Sequence, residues 1–365
     1  MPETKPGLAI CIPTYRRPRL LRRLLADLAQ QTLWPEQLIV VDGDPSSRDA
    51  RDVAEYAGFD IPSVTYVPSN HANLPFQRYL GWRAAARQRW LVYVDDDLRV
   101  PDKEALEKLI LPLEALPGEV AGVTARIEFP NRPAGHASVD ESSSEGSVLR
   151  ALARRFGSAH RTQAGGLTPV GYRKPPAHAA ESYAATQWLR GGVMAFDRDV
   201  LDEECFGECL FALADVQAGL GEDTIISMKA ARRGRLLFAR YVRFVHPDDD
   251  SPKAYAFEGY RAGWAHAYSR RLINDSYRGS EPPTWADRAA LVRHYLGKNL
   301  LNLRQCYLCA DWDKWNFAAG YAWGTVWGLC QPPNARRLAP GVDWQRDAAD
   351  CLRRATLVVR EPAWR

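Results

Sequence analysis

Three adjacent carboxylates, Asp95, Asp96 and Asp97, directly follow the short apolar run Trp90–Val94. A β-branched and aromatic run of this length is typical of a buried strand. Carboxylates at its end repel one another and lose hydration, which a fold alone does not require. Mg²⁺ and Mn²⁺ prefer oxygen ligands and often share one or two carboxylates with substrate phosphates. The triplet therefore predicts a Mn²⁺ or Mg²⁺ site that also holds a phosphorylated ligand; a solvated loop is the alternative interpretation.

Other polar residues follow apolar runs earlier in the chain. "GLAICIPTY" ends in Pro13, Thr14 and Tyr15, and "QLIVVDGD" ends in Asp42 and Asp44. In parallel sheets ligands bind at the carboxyl ends of the strands. We therefore expect these residues to meet the Asp triplet at one edge of a sheet. A carboxylate there can accept a hydrogen bond from a nucleotide base or a ribose hydroxyl.

The elements that position these residues alternate between strand and helix patterns over the first hundred residues. "PRLLRRLLADLAQQT" carries one apolar helical stripe, and "PFQRYLGWRAAARQR" is a second long helix between apolar runs. This alternation predicts an α/β fold, a three-layer α/β/α arrangement around a mostly parallel sheet. The Gly-x-Gly-x-x-Gly and Walker lysine loops that cradle phosphates are not found in this region.

After the alternating strand and helix patterns, the periodicity of the sequence changes twice. Residues 131–185 show little periodicity, which predicts a mobile insert around one short helix, "VLRALARRF". Regular patterns return, and Glu222 and Asp223 then open a helix, where carboxylates are also favoured simply by the helix dipole. His246 follows another apolar run; a single histidine of this kind is more often a packed or solvated residue than a ligand.

The region 250–365 is predicted to be helical and is rich in aromatic and basic residues, in contrast to a catalytic domain over residues 1–249. Two interpretations are open. The helices pack on the sheet, or they present an interfacial face to a membrane or a lipid-linked substrate, because Trp, Tyr and Arg favour that zone.

Composition excludes several classes of protein. With 365 residues, 46% hydrophobic and 25% charged, the chain is not globally disordered, and a net charge of +4 argues against a nucleic-acid binder. Arginine clusters such as "YRRPRLLRR" suit phosphates or an anionic membrane, and a solvated helix face is the alternative interpretation of each cluster. The seven cysteines do not show the spacing that is typical of a disulfide framework. A polar start and the lack of a span-length apolar run lead us to expect a cytoplasmic protein, with the inner face of the cell membrane as a further location.

The order of motifs resembles a known family. "ICIPTYRRPRLLRRLLADLAQQT", "LIVVDGDPSS", "LVYVDDDLRVPD", "WLRGGVMAFDRDVL", "LGEDTIISMKAARRG" and "VRFVHP" together resemble glycosyltransferase family two, inverting enzymes with the GT-A fold, over roughly residues 8–250. The pattern is similar to bacterial enzymes of surface-polysaccharide synthesis in the cell envelope. The resemblance implies a nucleotide-diphosphate sugar donor, Mn²⁺ or Mg²⁺ as cofactor, transfer of one hexosyl or deoxyhexosyl unit, and a glycan or lipid-linked acceptor.

The resemblance also implies residue roles. Asp223 would be the general base, and Asp97 and His246 would hold the metal. The nucleotide-sugar pocket would be formed by Pro13, Thr14, Tyr15, Asp42, Asp44, Arg78, Asp95 and Asp96, and the acceptor and sugar floor by Arg190, Gly191, Gly192 and Glu222.

Two departures and two alternatives accompany this interpretation. Where many relatives carry a second Asp beside Asp42, this chain has Gly43 and then Asp44, so either acid could meet the nucleotide base. The Gln-x-x-Arg-Trp motif of processive members is missing, which favours single addition. The alternatives are a sugar-phosphate nucleotidyltransferase, whose Gly-rich basic loop is not seen after the first strand, and a GT-A-like binding module without turnover.

Overall fold

The computed structural model describes residues 3–57, 63–130, 163–176, 182–207, 221–247, 258–279, 281–309, 312–330 and 343–359. The strands are β1 (Glu3–Thr14), β2 (Leu33–Asp42), β3 (Ser63–Pro68), β4 (Trp90–Val94), β5 (Val120–Glu128), β6 (Tyr183–Thr186), β7 (Val193–Asp197), β8 (Arg235–Val245) and β9 (Thr356–Val359). The helices are α1 (Pro18–Leu28), α2 (Asp49–Ala57), α3 (Leu74–Ala84), α4 (Ala105–Ala115), α5 (Glu222–Ala230), α6 (Glu258–Ser276), α7 (Trp285–Cys309), α8 (Trp312–Cys330) and α9 (Trp344–Arg353).

These strands form one sheet in the order β6-β8-β5-β7-β4-β1-β2-β3-β9. Strands β1 to β4 are mutually parallel, and β7 then runs antiparallel between β4 and β5. Because β8 is parallel to β5 whereas β6 and β9 are antiparallel to their neighbours, six of the nine strands share one direction. The predicted mostly parallel sheet is confirmed.

The sheet is buried on both faces, as its continuous apolar runs predict. Alternate residues of β1 point to opposite sides: Ile10 belongs to the cluster that contains the leucines of α1, and Cys11 to the cluster that contains Phe76 and Tyr79 of α3. Helices thus cover each face, which confirms the predicted three-layer α/β/α fold.

The C-terminal region is helical where it is described, with one departure from the predicted division at residue 250. Strand β9 pairs antiparallel with β3 at the edge of the sheet, and Ala348 and Cys351 of α9 belong to the same core cluster as α3. The chain therefore returns to the sheet after its helices. The four-residue run "TLVV" is too short for its pattern to separate a strand from the end of a helix.

Helices α6 and α8 pack backbone against backbone. A Cβ added to Gly263 would meet the carbonyl oxygen of Tyr321, and one added to Gly324 would meet that of Tyr260. Trp264 and Tyr268 of α6 are buried and stack with their ring centroids 4.8 Å apart. The packing interpretation therefore holds for these two aromatic residues of α6.

The predicted insert, residues 131–185, is described only in part. Residues 131–162, which include "VLRALARRF", and residues 177–181 lie outside the described residues. Residues 163–176, here called the 163–176 segment, contact the C-terminal helices: Asn274 Nδ2 donates to Pro169 O at 3.0 Å, and Tyr172 Oη lies 3.1 Å from His294 Nδ1. Strand β6 begins at Tyr183, inside the predicted insert. No helix in the described ranges combines the length and apolarity needed to cross a membrane.

Candidate active site

The carboxyl ends of β1, β2 and β4 meet at one edge of the sheet, as expected from the sequence. Thr14 pairs with Asp42 in the β1–β2 register. Thr14 Oγ1 donates a 2.7 Å hydrogen bond to Asp96 Oδ2, which lies beyond the end of β4. Gln77 Nε2 donates to the carbonyls of Thr14 and Val41, at 2.7 and 2.9 Å, and so joins the ends of β1 and β2. Buried side chains therefore cross-link the loops of this edge.

A cavity of about 260 Å³ opens beside Asp42 and Asp44. Asp42 is buried; its Oδ2 accepts from Tyr66 Oη at 2.8 Å and its Oδ1 accepts from the backbone N of Asp44 at 2.9 Å. Burial raises the pKa of Asp42 above its usual value, although these hydrogen bonds oppose the shift. Each carboxylate oxygen keeps a second lone pair for a ligand. The lining residues are Arg16, Pro18, Asp42, Asp44, Ser47, Asp49 and Ala50.

The loop after β1 closes this cavity from one side. Tyr15 is 42% exposed, and the guanidinium of Arg16 lies over its ring, 5.1 Å from the centroid. Arg16 Nε also donates to Asp44 Oδ2 at 2.5 Å. Arg16 has a φ of 55°, in the left-handed region that non-glycine residues rarely adopt. An exposed aromatic ring beside a cavity can stack on a flat ligand.

Asp97 and His246 face one another across the end of the sheet. Asp97 Oδ2 lies 3.3 Å from His246 Nε2 and accepts from Arg17 Nη1 at 3.0 Å. Burial raises the pKa of Asp97, but the hydrogen bond and charge of His246 and the charge of Arg17 outweigh it, so the pKa lies below the usual value. Asp97 is therefore an ionised carboxylate beside an imidazole nitrogen.

This pair fits a divalent cation in part. No group of three or more His, Cys, Asp or Glu side chains within the described ranges could hold a metal ion. One carboxylate and one imidazole are ligand types that Mn²⁺ accepts, and Mg²⁺ sites commonly take one or two carboxylates with substrate phosphates completing the shell. Asp97 and His246 suit a metal that a phosphorylated ligand helps to hold.

Arg78 is fully buried at this edge of the sheet and links Asp95, after β4, to Glu222, at the start of α5. Its Nη2 donates to Asp95 Oδ1 at 2.9 Å and to Gly191 O at 2.6 Å, and its Nη1 donates to Glu222 Oε1 at 2.5 Å. Burial raises the pKa of Glu222 to about 7 against the charge of Arg78, with the charge of Asp223 acting in the same direction as burial. These contacts favour a positioning role for Arg78 over direct contact with a ligand.

Asp223 lies in the first turn of α5, where the helix N-terminus favours negative charge. Its Oδ2 accepts from Gly191 N at 3.0 Å and from Arg173 Nη1 at 2.5 Å, while its Oδ1 accepts from Thr224 N at 2.7 Å. Burial raises the pKa of Asp223, but the charges of Arg173 and Arg78 more than offset it, so the pKa lies below the usual value. The residue is held as a carboxylate.

The loop before β7 supports this carboxylate. A Cβ added to Gly191 would lie 3.1 Å from Asp223 Oδ2, and one added to Gly192 would lie 2.7 Å from Ile127 Cδ1. Glycine at 191 therefore lets the backbone N–H reach the carboxylate. The preceding residue, Arg190, is fixed by its own backbone N–H, which donates to Thr124 Oγ1 at 3.1 Å.

Two groups of predicted site residues lie together in the structure. Thr14, Asp96, Asp97 and His246 are linked at the sheet edge, and Arg78 connects Asp95 to Glu222 and Gly191. Pro13 lies in register with Val41 at the end of β1. The individual roles given to these residues stay predictions.

Among the site residues that sequence reasoning missed, three contact predicted carboxylates. Arg17 lies in the quoted stretch "TYRRP", so its place after β1 was a usable signal. Tyr66 was hidden inside a strand pattern, and Arg173 lies in a stretch without periodicity. Their contacts with Asp97, Asp42 and Asp223 depend on how distant segments meet.

Comparison with known proteins finds a family match over part of the chain. Residues 9–165 match the family model described as Glycosyl transferase family 2. This match covers β1 to β5 and the Asp triplet, and it confirms the predicted resemblance to glycosyltransferase family two over that segment. The chain is also 42% identical over 82 residues to a validoxylamine A glucosyltransferase from Streptomyces hygroscopicus subsp. limoneus; the match covers 22% of this chain and 16% of that enzyme.

Solved structures of glycosyltransferases are also similar, at low identity. A mannosyltransferase from Pyrobaculum calidifontis in complex with GDP-Man and Mn²⁺ aligns with 90% of this chain and 89% of its own, at 17% identity and a TM-score of 0.49. TarS residues 1–349 from S. aureus in complex with UDP-GlcNAc aligns over 88% of this chain and 91% of its own, at 12% identity and a TM-score of 0.44.

Proposed function

We propose that this protein transfers one sugar from a nucleotide-diphosphate sugar to a hydroxyl of a glycan or lipid-linked acceptor, with inversion at the anomeric carbon. The observation that carries the proposal is a pair of carboxylates held by arginines, Asp97 by Arg17 and Asp223 by Arg173, with the Arg78 network between them. One faces an imidazole, and the other lies at a helix N-terminus beside a glycine-lined floor. The family match over residues 9–165 supports this class over a nucleotidyltransferase.

The donor half of the site would bind the nucleotide diphosphate. The cavity beside Asp42 would take the base, with Tyr15 stacking on it and Asp42 or Asp44 accepting its N–H. Asp97 and His246 would hold Mn²⁺ or Mg²⁺; when bound, this ion neutralises the charge that grows on the leaving diphosphate. Arg17, 3.0 Å from Asp97, is placed to bind a phosphate oxygen in exchange for that carboxylate.

The acceptor half would supply the base. Asp223 would take the proton of the attacking hydroxyl, and a single base without a covalent partner gives a one-step displacement with inversion. The Gly191 N–H and the first-turn N–H of Thr224 orient the carboxylate. The proton moves from the acceptor oxygen to an Asp223 oxygen as the bond from that oxygen to the anomeric carbon forms and the bond to the diphosphate breaks.

A titration of the purified protein with UDP, GDP, dTDP and CMP, each with and without Mn²⁺, tests the donor half. A ligand that binds only the folded state raises the melting temperature by mass action. We expect one nucleoside diphosphate to give a clear increase, and a larger one with Mn²⁺. If no nucleotide raises the melting temperature, the transferase proposal fails and a module without a donor site is favoured.

We also propose that α7 and α8 contact an anionic membrane surface. Trp285 is 91% exposed, and Trp323 and Trp327 of α8 are 59% and 48% exposed. On α7 the exposed apolar residues recur at helical spacing, and the exposed Arg293 lies on the same helix. Such faces suit the membrane interface. The exposed apolar residues of α7 are Val292, Leu296, Leu300, Leu301 and Leu303.

Vesicle sedimentation tests this contact. We expect the protein to sediment with vesicles that contain anionic lipid, and the double variant Trp323→Gln/Trp327→Gln to remain in the supernatant. Tyr241→Gln, which removes an aromatic residue 65% exposed on β8, is the control. Absence of sedimentation together with a dimer in gel filtration would contradict the proposal and assign the face to a second copy of the chain.

A further inference from the structure

The acceptor half of the site contains a group of arginines around one buried aromatic ring. Arg173 and Arg190 both lie over the ring of Trp188, at 5.3 and 5.8 Å from its centroid. Trp188 is 3% exposed, so its indole ring is held in place by burial and both guanidinium groups pack on it. Burial lowers the pKa of Arg190, and the charges of Arg173 and Arg126 act in the same direction. Three arginines therefore share one region.

Only two of these arginines have carboxylate partners among the described residues. Arg173 pairs with Asp223, and Arg126 Nε lies 3.3 Å from Glu128 Oε1. Within the same described ranges, Arg190 donates only a long side-chain hydrogen bond to Ile127 O, 3.5 Å, and its buried Nε has no hydrogen-bond partner. A buried donor without a partner costs about 1–3 kcal/mol, so this group gains from a bound anion.

Arg173 also occupies the oxygen that the acceptor needs. Asp223 Oδ2 accepts from both Arg173 and Gly191, and Oδ1 accepts from both the N–H and the hydroxyl of Thr224. The side chain of Arg173 is 39% exposed whereas that of Asp223 is 10% exposed, so the guanidinium lies on the solvent side of the carboxylate. A hydroxyl can reach Oδ2 only after Arg173 has moved.

We propose that the acceptor carries an anionic group close to its reacting hydroxyl, and that Arg173 leaves Asp223 to bind this group together with Arg190. The proposal rests on the proposed function and adds the chemical class of its acceptor. Exchanging one anion for another keeps Arg173 paired, and Asp223 keeps the N–H donors of Gly191 and Thr224 when Arg173 leaves. Phosphate and carboxylate both suit a guanidinium fork. Arg173 is then a specificity-determining residue whose departure frees the base.

Matched acceptors test this assignment. The rate at which nucleoside diphosphate is released from the donor is measured with two pairs of acceptors and with water alone. The pairs are glycerol and glycerol 3-phosphate, and glucose and glucuronate. Wild type is compared with Arg173→Gln and with the control Arg83→Gln. Arg83 resembles Arg173, since its side chain is 39% exposed, pairs with Glu203 at 3.1 Å and lies over Tyr79, but it is outside the site.

In wild type and in Arg83→Gln we expect release to be about 10-fold faster or more with an anionic acceptor than with its neutral partner, the size of one charge-assisted hydrogen bond. Arg173→Gln should lose this preference and hydrolyse the donor faster in water alone, because Asp223 Oδ2 is no longer covered. Opposite changes in one variant cannot come from general structural damage. The phosphate and carboxylate arms identify which anion is recognised.

Equal rates with anionic and neutral acceptors in wild type would overturn the proposal, as would an Arg173→Gln variant that is slowed equally with every acceptor. Weaker nucleoside diphosphate binding by Arg173→Gln would also overturn it, since Arg173 would then serve the donor. These results leave the transferase function intact. By contrast, a wild-type protein that neither binds a nucleoside diphosphate nor releases one from any donor contradicts the proposed function itself.

Discussion

The donor and acceptor halves of the site are held in different ways. In the donor half, Asp42 and Asp96 lie at strand ends and take hydrogen bonds from Tyr66 and Thr14, side chains of the same sheet. In the acceptor half, Asp223 is held by Arg173, which comes from the 163–176 segment on the C-terminal helices. The register of the sheet therefore positions the donor half, whereas the acceptor half also depends on a segment outside the strands, which is held between the end of β6 and the C-terminal helices.

The carboxylates of the site also differ in charge. Burial raises the pKa of Asp96 to about 7, whereas Asp97 and Asp223 have lowered pKa values because cationic side chains contact them. A carboxylate that is easily protonated is suited to accepting or donating hydrogen bonds with a nucleotide. A carboxylate that stays ionised is suited to holding a metal or taking a proton. This difference is consistent with the roles proposed for Asp97 and Asp223.

The largest effect is expected from Asp223→Asn. This change removes the proposed base and should lower turnover by about 10²- to 10⁴-fold, the usual contribution of a general base. Nucleoside diphosphate affinity should stay within about 2-fold of wild type, because the donor half is separate. Turnover and calorimetric binding measured on one preparation check this. Loss of both would mean that the halves are not independent.

Arg78→Met should destabilise the fold by about 3–5 kcal/mol, because it leaves the carboxylates of Glu222 and Asp95 without their buried cation. Urea unfolding measures the change. Arg83→Met is the control, since the side chains of the Arg83–Glu203 pair are partly exposed and their loss should cost under about 1 kcal/mol. Equal effects of the two changes would show that Arg78 does not tie the halves together.

Asp97→Asn should abolish the extra stabilisation that Mn²⁺ gives to the nucleotide complex. At a ligand concentration of about 100 times the dissociation constant, binding stabilises a protein by about 2.7 kcal/mol, so the lost increment is measurable by thermal shift. Asp102→Asn, at a nearby acid that pairs with Lys108 at 3.0 Å, should behave as wild type. A full Mn²⁺ effect in Asp97→Asn would remove Asp97 from the metal site.

A smaller effect is expected where α6 meets α8. Burial lowers the pKa of His266 to about 4, with the charges of Arg270 and Lys298 acting in the same direction, and its Nδ1 faces Tyr321 Oη at 3.2 Å. The unfolded chain takes up this proton near pH 6.5 and the folded chain only near pH 4. Folding stability should therefore fall as the pH falls through this window.

As the pH falls from about 7 to about 5.5, this group should lower the free energy of unfolding of wild type by about 1 kcal/mol. The variant His266→Gln should not show this decrease. Urea unfolding at the two pH values measures it. A pH dependence unchanged in the variant would indicate that His266 is already protonated in the folded protein.

The sequence predicted the donor half better than the acceptor half, for a physical reason. Apolar runs identify buried strands, and parallel strands bring their carboxyl ends together, so Thr14, Asp42 and Asp96 could be assigned to one edge of the sheet from their positions in the chain. Arg173 could not, because the 163–176 segment has no periodicity and its contact with Asp223 spans 50 residues. The pairing of β9 with the sheet could not be predicted either, because its apolar run has only four residues.

Pulsed electron paramagnetic resonance of Mn²⁺ bound with the nucleoside diphosphate that stabilises the protein tests the proposed metal site most directly. We expect one ¹⁴N coupling from His246, lost in His246→Gln, together with ³¹P coupling from the diphosphate. Mn²⁺ that shows ³¹P coupling but the same nitrogen signal in both proteins, or no bound Mn²⁺ at all, would contradict the assignment of Asp97 and His246 as the metal site.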